Sequence, residues 1–177
     1  MEAMFRDLKA EEIDCRIAMV KQNGLTLLLY KDARVDMDIL DETVGNMNWK
    51  RSHLRDNANC IIEIWDNEKQ QWISKEDTGT ESFTEKEKGL ASDSFKRAGF
   101  NWGIGRELYT APFIWIDAKD CNIEDSKRKD NFGNIIYTCK DKFYVEAIQI
   151  KDKIITGLAI KNSKSNKRVF LYKKEEI

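Results

Sequence analysis

The sequence predicts an α+β fold in which an antiparallel β-meander packs on a long central helix, with N-terminal helices and further C-terminal strands. Residues 49–83 alternate between apolar and polar side chains, most clearly in CIIEIWD and QQWISKED. This alternation is typical of half-buried strands, here joined by a turn at Asp66-Asn67. The stretch FTEKEKGLASDSFKRAGFNWGIGR instead repeats apolar residues at helical spacing. Strands and helices therefore come in blocks, unlike the regular alternation of βαβ proteins.

The segments on either side of this centre complete the predicted architecture. Residues 11–22 predict a helix because their isoleucines and valine recur at helical spacing. Residues 25–30 predict a short apolar strand, and residues 35–44 predict a second short helix that Gly45 ends. More strands are predicted after Pro112 in the stretches APFIWIDA, NIIYTCKDKFYVEAIQI, KIITGLAI and RVFLYKK.

The central helix has recognisable signals at both ends. Thr84 followed by Glu87 forms a capping box, so the helix is predicted to begin there. Gly103 and Gly105 supply the left-handed conformation that ends a helix. Its buried face is predicted to consist of Glu87, Ala91, Phe95, Ala98 and Trp102.

Two adjacent cations flank this predicted buried face. Lys96 lies about 100° from Phe95 around the helix, and Arg97 lies as far from Ala98 on the other side. The pair therefore edges the apolar stripe on opposite sides. Taken alone, such residues are most often solvated flanks of an amphipathic helix.

Composition limits the classes of protein to consider. The chain has 177 residues, 41% of them apolar and 34% charged, with a net charge of −1. No apolar run approaches the roughly 20 residues of a membrane span. The N-terminus lacks the features of a signal peptide, so we expect a cytoplasmic protein with reduced cysteines and no membrane association. Residues 161–174 hold six basic residues and no acidic one, which gives a local positive stretch despite the neutral whole.

The sequence does not suggest an enzyme. His53 is the one histidine, and no nucleophile motif accompanies it. The four cysteines stand far apart without a CxxC pair, so no structural zinc is expected. Acidic residues near lysines, such as Glu63 and Asp66 or Glu146 and Lys151, lack a recognisable spacing for a metal-dependent nuclease. We therefore expect neither a catalytic residue nor a cofactor or metal.

Four segments, in order, carry a family resemblance. They are LKAEEIDCRI, YKDARVDMDILDETVGNMNW, WISKEDTGTES and EKGLASDSFKRAGFNWGIG. Together they resemble the annealing domain of the Rad-fifty-two recombination proteins, and more closely their phage relatives of the Sak type. The resemblance covers about residues 8–110. It implies an annealing domain over residues 1–110, and residues 111–177 form a strand-rich extension of the same domain, a candidate region for subunit contacts or DNA binding.

The resemblance implies binding of single-stranded DNA and annealing of complementary strands without ATP, in a ring or helical filament of identical subunits. Lys96 and Arg97 match the family's groove-lining basic pair, and Arg34 matches a third DNA-contacting arginine. Arg106 and Lys86 complete the set of candidate DNA-binding residues. The resemblance also implies a phage or prophage origin and a location in the cytoplasm of a bacterial host. It further implies an exonuclease or a single-strand-binding protein as a candidate partner.

The chain departs from the family pattern at two positions. Phe100 stands where the family often has another arginine, and Asn46 stands where an aromatic residue precedes the Trp49 position. These departures predict weaker binding or a shifted strand path.

Three alternatives stay open at this stage. The first is a single-stranded DNA-binding module that does not anneal and stacks bases on the aromatic residues of the meander. The others are a metal-dependent nuclease and an interaction protein without nucleic acid. Trp49 and Trp102 are expected to pack in the core rather than stack on bases.

Overall fold

The computed structural model describes residues 4–80 and 86–174, with the backbone alone for residues 86–88. The chain forms two compact units. The first unit contains residues 4–7 and Asp32–Arg106, and the second contains Leu8–Lys31 and residues 107–174. Residues 32–106 of the first unit are therefore inserted in sequence between two parts of the second, and residues 4–7 precede both parts.

The described residues contain two α-helices, eleven β-strands and three short 3-10 helices. In chain order the helices and strands are β1 (Asp14–Lys21), β2 (Gly24–Tyr30), α1 (Ala33–Val44), β3 (Trp49–Leu54), β4 (Asn59–Asp66), β5 (Gln71–Thr78), α2 (Lys86–Trp102), β6 (Ile114–Asp117), β7 (Ile123–Lys129), β8 (Ile135–Cys139), β9 (Phe143–Lys151), β10 (Ile154–Asn162) and β11 (Arg168–Lys173).

The first unit is built on the antiparallel sheet β3-β4-β5. Strand β4 alternates strictly, and Cys60, Ile62 and Ile64 are its buried residues. Because successive strand residues point to opposite faces, these three side chains share one face. Helix α2 packs on β4 and β5 and contributes the fully buried Phe95 and Ala98 to the same core.

The second unit is built on a six-stranded antiparallel sheet with the order β11-β10-β9-β1-β2-β6. The edge strands β11 and β6 lie close to each other, so the sheet nearly closes on itself. Its core includes the fully buried Leu25, Ile116 and Ile160. Strands β7 and β8 form a separate two-stranded sheet.

The predicted fold class is wrong. The protein is mostly β, with 47% strand and 23% helix, rather than an α+β meander on a long central helix. The largest sheet is formed by strands from both ends of the sequence, and it does not include the three strands of the meander that packs on α2. Strand pairing between residues so far apart leaves no local pattern, and for that reason the sequence pointed to the helix instead.

The predicted N-terminal helix is a strand, β1, and a β-bulge explains the error. Ile17 pairs with Leu27, but the next pair is Met19 with Thr26, so one extra residue is inserted in β1. A bulge of this kind turns the period of two into a local spacing of three. Ile17 and Val20 are both half-buried, and their separation of three imitates a helix.

Other element predictions had mixed outcomes. The short helix at residues 35–44 is confirmed as the greater part of α1, and the strand at residues 25–30 lies in β2. Strand β7 was not predicted, because its sequence IEDSKRK is almost entirely polar. The single stretch NIIYTCKDKFYVEAIQI forms two strands, β8 and β9.

The predicted end of the central helix is confirmed. Helix α2 ends at Trp102, and Gly103 and Gly105 both have positive φ, at 97° and 72°. Such φ values suit glycine, which has no Cβ to clash. The predicted capping box lies outside the described residues, because it rests on Thr84 and on the side chain of Glu87.

Candidate nucleic-acid interface

Helix α2 carries two adjacent cations beside its buried face. Phe95 and Ala98 are fully buried, because this face packs on β4 and β5. Lys96 follows Phe95 and Arg97 precedes Ala98, so each lies about 100° from its buried neighbour around the helix axis. Both side chains are partly exposed to solvent.

A close contact fixes α1 against α2. Gly99 is buried, and a Cβ added there would clash with Oδ1 of Asp36, itself fully buried on α1. The absence of a side chain at Gly99 therefore lets the two helices approach. This contact brings the N-terminal part of α1 next to the last turns of α2.

Arg34 and Lys96 act on the same carboxylate, that of Asp32. Asp32 caps the N-terminus of α1 by accepting a hydrogen bond of 2.8 Å from the Arg34 backbone N–H. The Arg34 guanidinium also donates to both carboxylate oxygens, at 2.9 Å from Nε and 3.2 Å from Nη2. These hydrogen bonds lower the pKa of Asp32, and the positive charge of Lys96 lowers it further. The Asp32 carboxyl group is thus influenced by two cations, while Asp38 also acts on Arg34.

The exposure of this cluster leaves it open to a ligand. The Arg34 side chain is 81% exposed, and Lys96 makes no ion pair with any described residue. Exposed ion pairs are weak because water screens them. A phosphate oxygen can therefore compete with Asp32 for the same donors, and the bidentate geometry of arginine suits phosphate as well as carboxylate.

Arg97 lies on the other edge of α2 and pairs with β5. Its Nε lies 3.5 Å from Oδ1 of Asp77, and no described residue accepts a hydrogen bond from that buried Nε. Asn101, one turn further on, donates from Nδ2 to the Glu76 carbonyl at 2.8 Å and so ties the helix to the same strand. The ion pair between Arg97 and Asp77 is therefore long, and it contains no hydrogen bond from Nε.

Arg106 closes the C-terminal end of α2. Its Nε donates to the Phe100 carbonyl at 2.7 Å and its Nη2 to the Asn101 carbonyl at 2.9 Å. Lys75 donates to the same Asn101 carbonyl at 3.0 Å. The Phe100 carbonyl also accepts a hydrogen bond of 3.0 Å from the Gly103 backbone N–H, and cations near these last carbonyls offset the negative end of the helix dipole. Arg106 therefore holds the glycine-rich exit in place.

The structure groups the predicted residues unequally. Arg34 hydrogen-bonds Asp32, and the charge of Lys96 acts on the same carboxyl group without a direct ion pair. Arg97 pairs with Asp77 on β5, and Arg106 is engaged at the C-terminus of α2. The side chain of Lys86 lies outside the described residues.

Sequence reasoning missed two further cations close to α2. The guanidinium carbon of Arg51 lies 4.7 Å from the centre of the Phe95 ring, and the Lys75 ammonium lies 4.5 Å from that of Trp102. Cations over aromatic faces are attracted by the ring quadrupole. The signal for Arg51 was its place two residues after Trp49, which stacks on Phe95 with ring centres 6.2 Å apart.

The opposite face of the three-stranded sheet carries an aromatic pair. Trp65 and Trp72 are cross-strand partners with ring centres 5.5 Å apart. The ammonium of Lys50 lies 4.3 Å from the Trp72 ring. Both indoles are partly exposed, so this face combines a cation with stacking surface.

The other two tryptophans of interest are held by packing and hydrogen bonds. Trp49 donates from Nε1 to Asp41 at 2.6 Å, and Trp102 donates to the Ile62 carbonyl at 3.2 Å. Both are half-buried. Their indole N–H groups are therefore engaged inside the first unit.

The residues considered for catalysis have structural partners. Nδ1 of His53 lies 3.4 Å from the Ser94 hydroxyl, and burial lowers the pKa of this imidazole. Glu146 contacts Lys161 at 2.8 Å and Arg168 at 2.6 Å, and their hydrogen bonds lower its pKa to about 2. The described residues contain no group of three or more His, Cys, Asp or Glu arranged to hold a metal ion.

No described helix has the length and apolar character required to cross a membrane. No protein-family model matches the chain, and no curated protein or solved structure matches it significantly.

Proposed function

We propose that this protein binds single-stranded DNA and anneals complementary strands without ATP, as a phage or prophage relative of the Rad-fifty-two recombination proteins. The proposal includes assembly into a ring or filament in the cytoplasm of a bacterial host. It also includes an exonuclease or a single-strand-binding protein of the phage as partner. The protein is proposed to act without catalytic residues or a cofactor.

The observation that supports the proposal is that Arg34 hydrogen-bonds Asp32 on α1 while the positive charge of Lys96 on α2 also lowers the pKa of that carboxyl group. The two cations are 62 positions apart in sequence, and the resemblance had assigned both of them to the DNA groove. A groove that accepts any sequence requires cations for phosphates and few contacts to base edges, so that the bases stay free to pair. Two exposed cations on rigid helices meet this requirement.

The test is an annealing assay on the Lys96→Ala/Arg97→Ala double variant. Neither side chain fills the core, so the variant should keep its fold, as checked by circular dichroism. We expect weaker binding of single-stranded DNA and slower annealing of complementary strands in EDTA. Removal of each phosphate contact should reduce the slope of log affinity against log salt by about 0.7. A Lys69→Ala/Lys119→Ala variant, which also removes two exposed lysines, is the matched control and should behave as wild type.

The Asp32→Asn variant tests the same site in the opposite direction. Asparagine caps a helix about as well as aspartate, so α1 should remain intact. Loss of the carboxylate leaves Arg34 and Lys96 without their shared counter-charge. We therefore expect tighter DNA binding and a steeper salt dependence. Unchanged affinity in both this variant and the folded double variant would show that these cations are solvated flanks, and the proposal would then be wrong.

A second candidate function is a single-stranded DNA-binding module that does not anneal. The observation that favours it is the pair Trp65 and Trp72 with Lys50 over the Trp72 ring, a stacking surface with a cation beside it. Tight binding without faster annealing in the same assay would select this candidate. Shortened strands, or activity abolished by EDTA, would instead point to a nuclease.

A further inference from the structure

The hairpin of β7 and β8 lies beside β1 at its base and ends in an exposed tip. The two strands pair only with each other. Every residue from Lys127 to Ile136 is exposed. At its tip, Phe132 is 91% exposed, although burial of a phenylalanine normally stabilises a fold by about 1.5–3 kcal/mol. An aromatic side chain is thus held in water at the end of an arm.

The turn that presents Phe132 is tightly organised. Oδ1 of Asp130 accepts hydrogen bonds of 2.9 Å from the backbone N–H groups of both Phe132 and Asn134. Its Oδ2 accepts a third, of 3.0 Å, from the Asn134 side chain, and these bonds lower the pKa of Asp130. Gly133 has a φ of 84°, which suits a residue without Cβ. The exposed ring is therefore carried by a turn of defined geometry.

The strand leading to the tip bulges and carries three successive cations. Asp125 pairs with Tyr137, but the next pair is Lys129 with Ile135, so β7 has two more residues than β8 between these pairs. Lys127, within this bulge, lies 3.6 Å from Asp125. Arg128 and Lys129 make no ion pair with any described residue. The carboxylate nearest the tip, that of Asp130, is already occupied by the turn.

We propose that this hairpin is a second contact site for single-stranded nucleic acid, in which one base stacks on Phe132 and the basic run Lys127–Lys129 binds the adjacent phosphates. An isolated exposed phenylalanine would need no explanation. Here it stands on an organised turn beside three successive cations, two of which make no ion pair with a described residue. An aromatic ring next to cations is the combination that binds single strands without reading their sequence. The inference rests on the proposed function, because it adds a contact for single-stranded DNA within the second unit.

The test compares Phe132→Ala with wild type on two strands of equal length, oligo(dT) and an abasic deoxyribose-phosphate strand. A stacked base contributes about 1–3 kcal/mol, so Phe132→Ala should weaken oligo(dT) binding roughly fivefold to a hundredfold. The loss should vanish on the abasic strand, which has no base to stack. Phe132→Trp should restore binding to oligo(dT). Phe113→Ala, which removes another exposed phenylalanine of the second unit, is the matched control and should have no effect.

The cations are tested by Arg128→Ala/Lys129→Ala. This variant should weaken binding to both strands and reduce the salt slope by about 0.7 for each phosphate that is no longer bound. If wild type binds and anneals but Phe132→Ala binds oligo(dT) as wild type does, this inference alone is wrong. If Phe132→Ala changes only the mass of the assembly and not DNA binding, the tip contacts a second copy of the chain, and the inference is also wrong. Absence of all binding by wild type would overturn the proposed function together with it.

Discussion

The behaviour of a single ionisable side chain in this protein depends on the partner that folding gives it. Hydrogen bonds from Arg34, together with the charge of Lys96, lower the pKa of Asp32. Arg106, an equally basic residue, is committed to the carbonyls at the end of α2. Residue type alone did not distinguish these roles, since sequence reasoning placed all three cations in one class. The distinction requires the distances between elements.

The cysteine thiols provide a prediction at this scale. Burial, followed by the charges of neighbouring groups, raises the pKa of Cys15 and of Cys121 to about 12, and burial raises that of Cys60 to about 11. The reactive species is the thiolate, and a pKa raised by three units lowers the fraction of the thiol in that form. A thiolate of higher pKa is intrinsically more nucleophilic, which offsets part of this loss. We expect Cys121 of the folded protein to react with Ellman's reagent at pH 8 roughly 50-fold more slowly than after unfolding.

The reaction should accelerate as pH rises through 9 and 10, because the thiolate fraction keeps increasing below the raised pKa. A variant in which Cys15 and Cys60 are serine keeps Cys139, which contributes to the raised pKa of Cys121, and peptide mapping of the modified protein separates the signal of Cys121 from that of Cys139. If the Cys121 thiol reacts in the folded protein at the unfolded rate, the packing around it is wrong.

At the scale of elements, the approach of α1 and α2 determines where the predicted cations lie. The buried Asp36 rests against Gly99, and the N-terminal turn of α1 comes with it. A glycine inside a helix normally costs stability, roughly 1 kcal/mol relative to alanine. The role of Gly99 is to leave room for a neighbouring carboxylate, which no periodicity argument reveals.

Gly99→Ala should therefore destabilise the protein, although alanine is the better helix former. The intrinsic gain of about 1 kcal/mol is opposed by overpacking against Asp36, which typically costs about 1–3 kcal/mol. We expect a net loss of roughly 1 kcal/mol in the free energy of unfolding, measured by urea denaturation. In the Asp36→Ala background the same change should cost less, because the clashing atoms are gone. Equal costs in both backgrounds would show that the two residues do not touch.

Local signals predicted the elements best where the structure of a segment depends on its own residues. Helix α2 and its glycine exit follow from apolar spacing and backbone preference, and α1 follows from the same reasoning. The prediction of a helix at β1 was wrong because the bulge between Ile17 and Met19 imitates the spacing of a helix. Strand β7 was missed because none of its residues is fully buried, so its sequence does not alternate between apolar and polar residues.

At the scale of the whole molecule, the proposed function requires more than one copy of the chain. A continuous groove for a long strand arises when one subunit repeats around an axis. We expect light scattering to report an oligomer of the purified protein, larger or more uniform when single-stranded DNA is added. A strict monomer under both conditions would contradict the assembly.

The insertion of the first unit between β2 and β6 also sets the order in which the protein can fold during synthesis. Strands β1 and β2 emerge early and can pair as a hairpin. The other edge of β2 stays unpaired until β6 has been synthesised. The edge of β1 waits for β9, which it meets at the single pair Asp14–Tyr144. At about 5–20 residues per second, the ribosome takes roughly 6–24 s to reach β9 after completing β1. The first unit becomes complete within that interval, so the nascent chain carries a finished unit together with an open sheet edge.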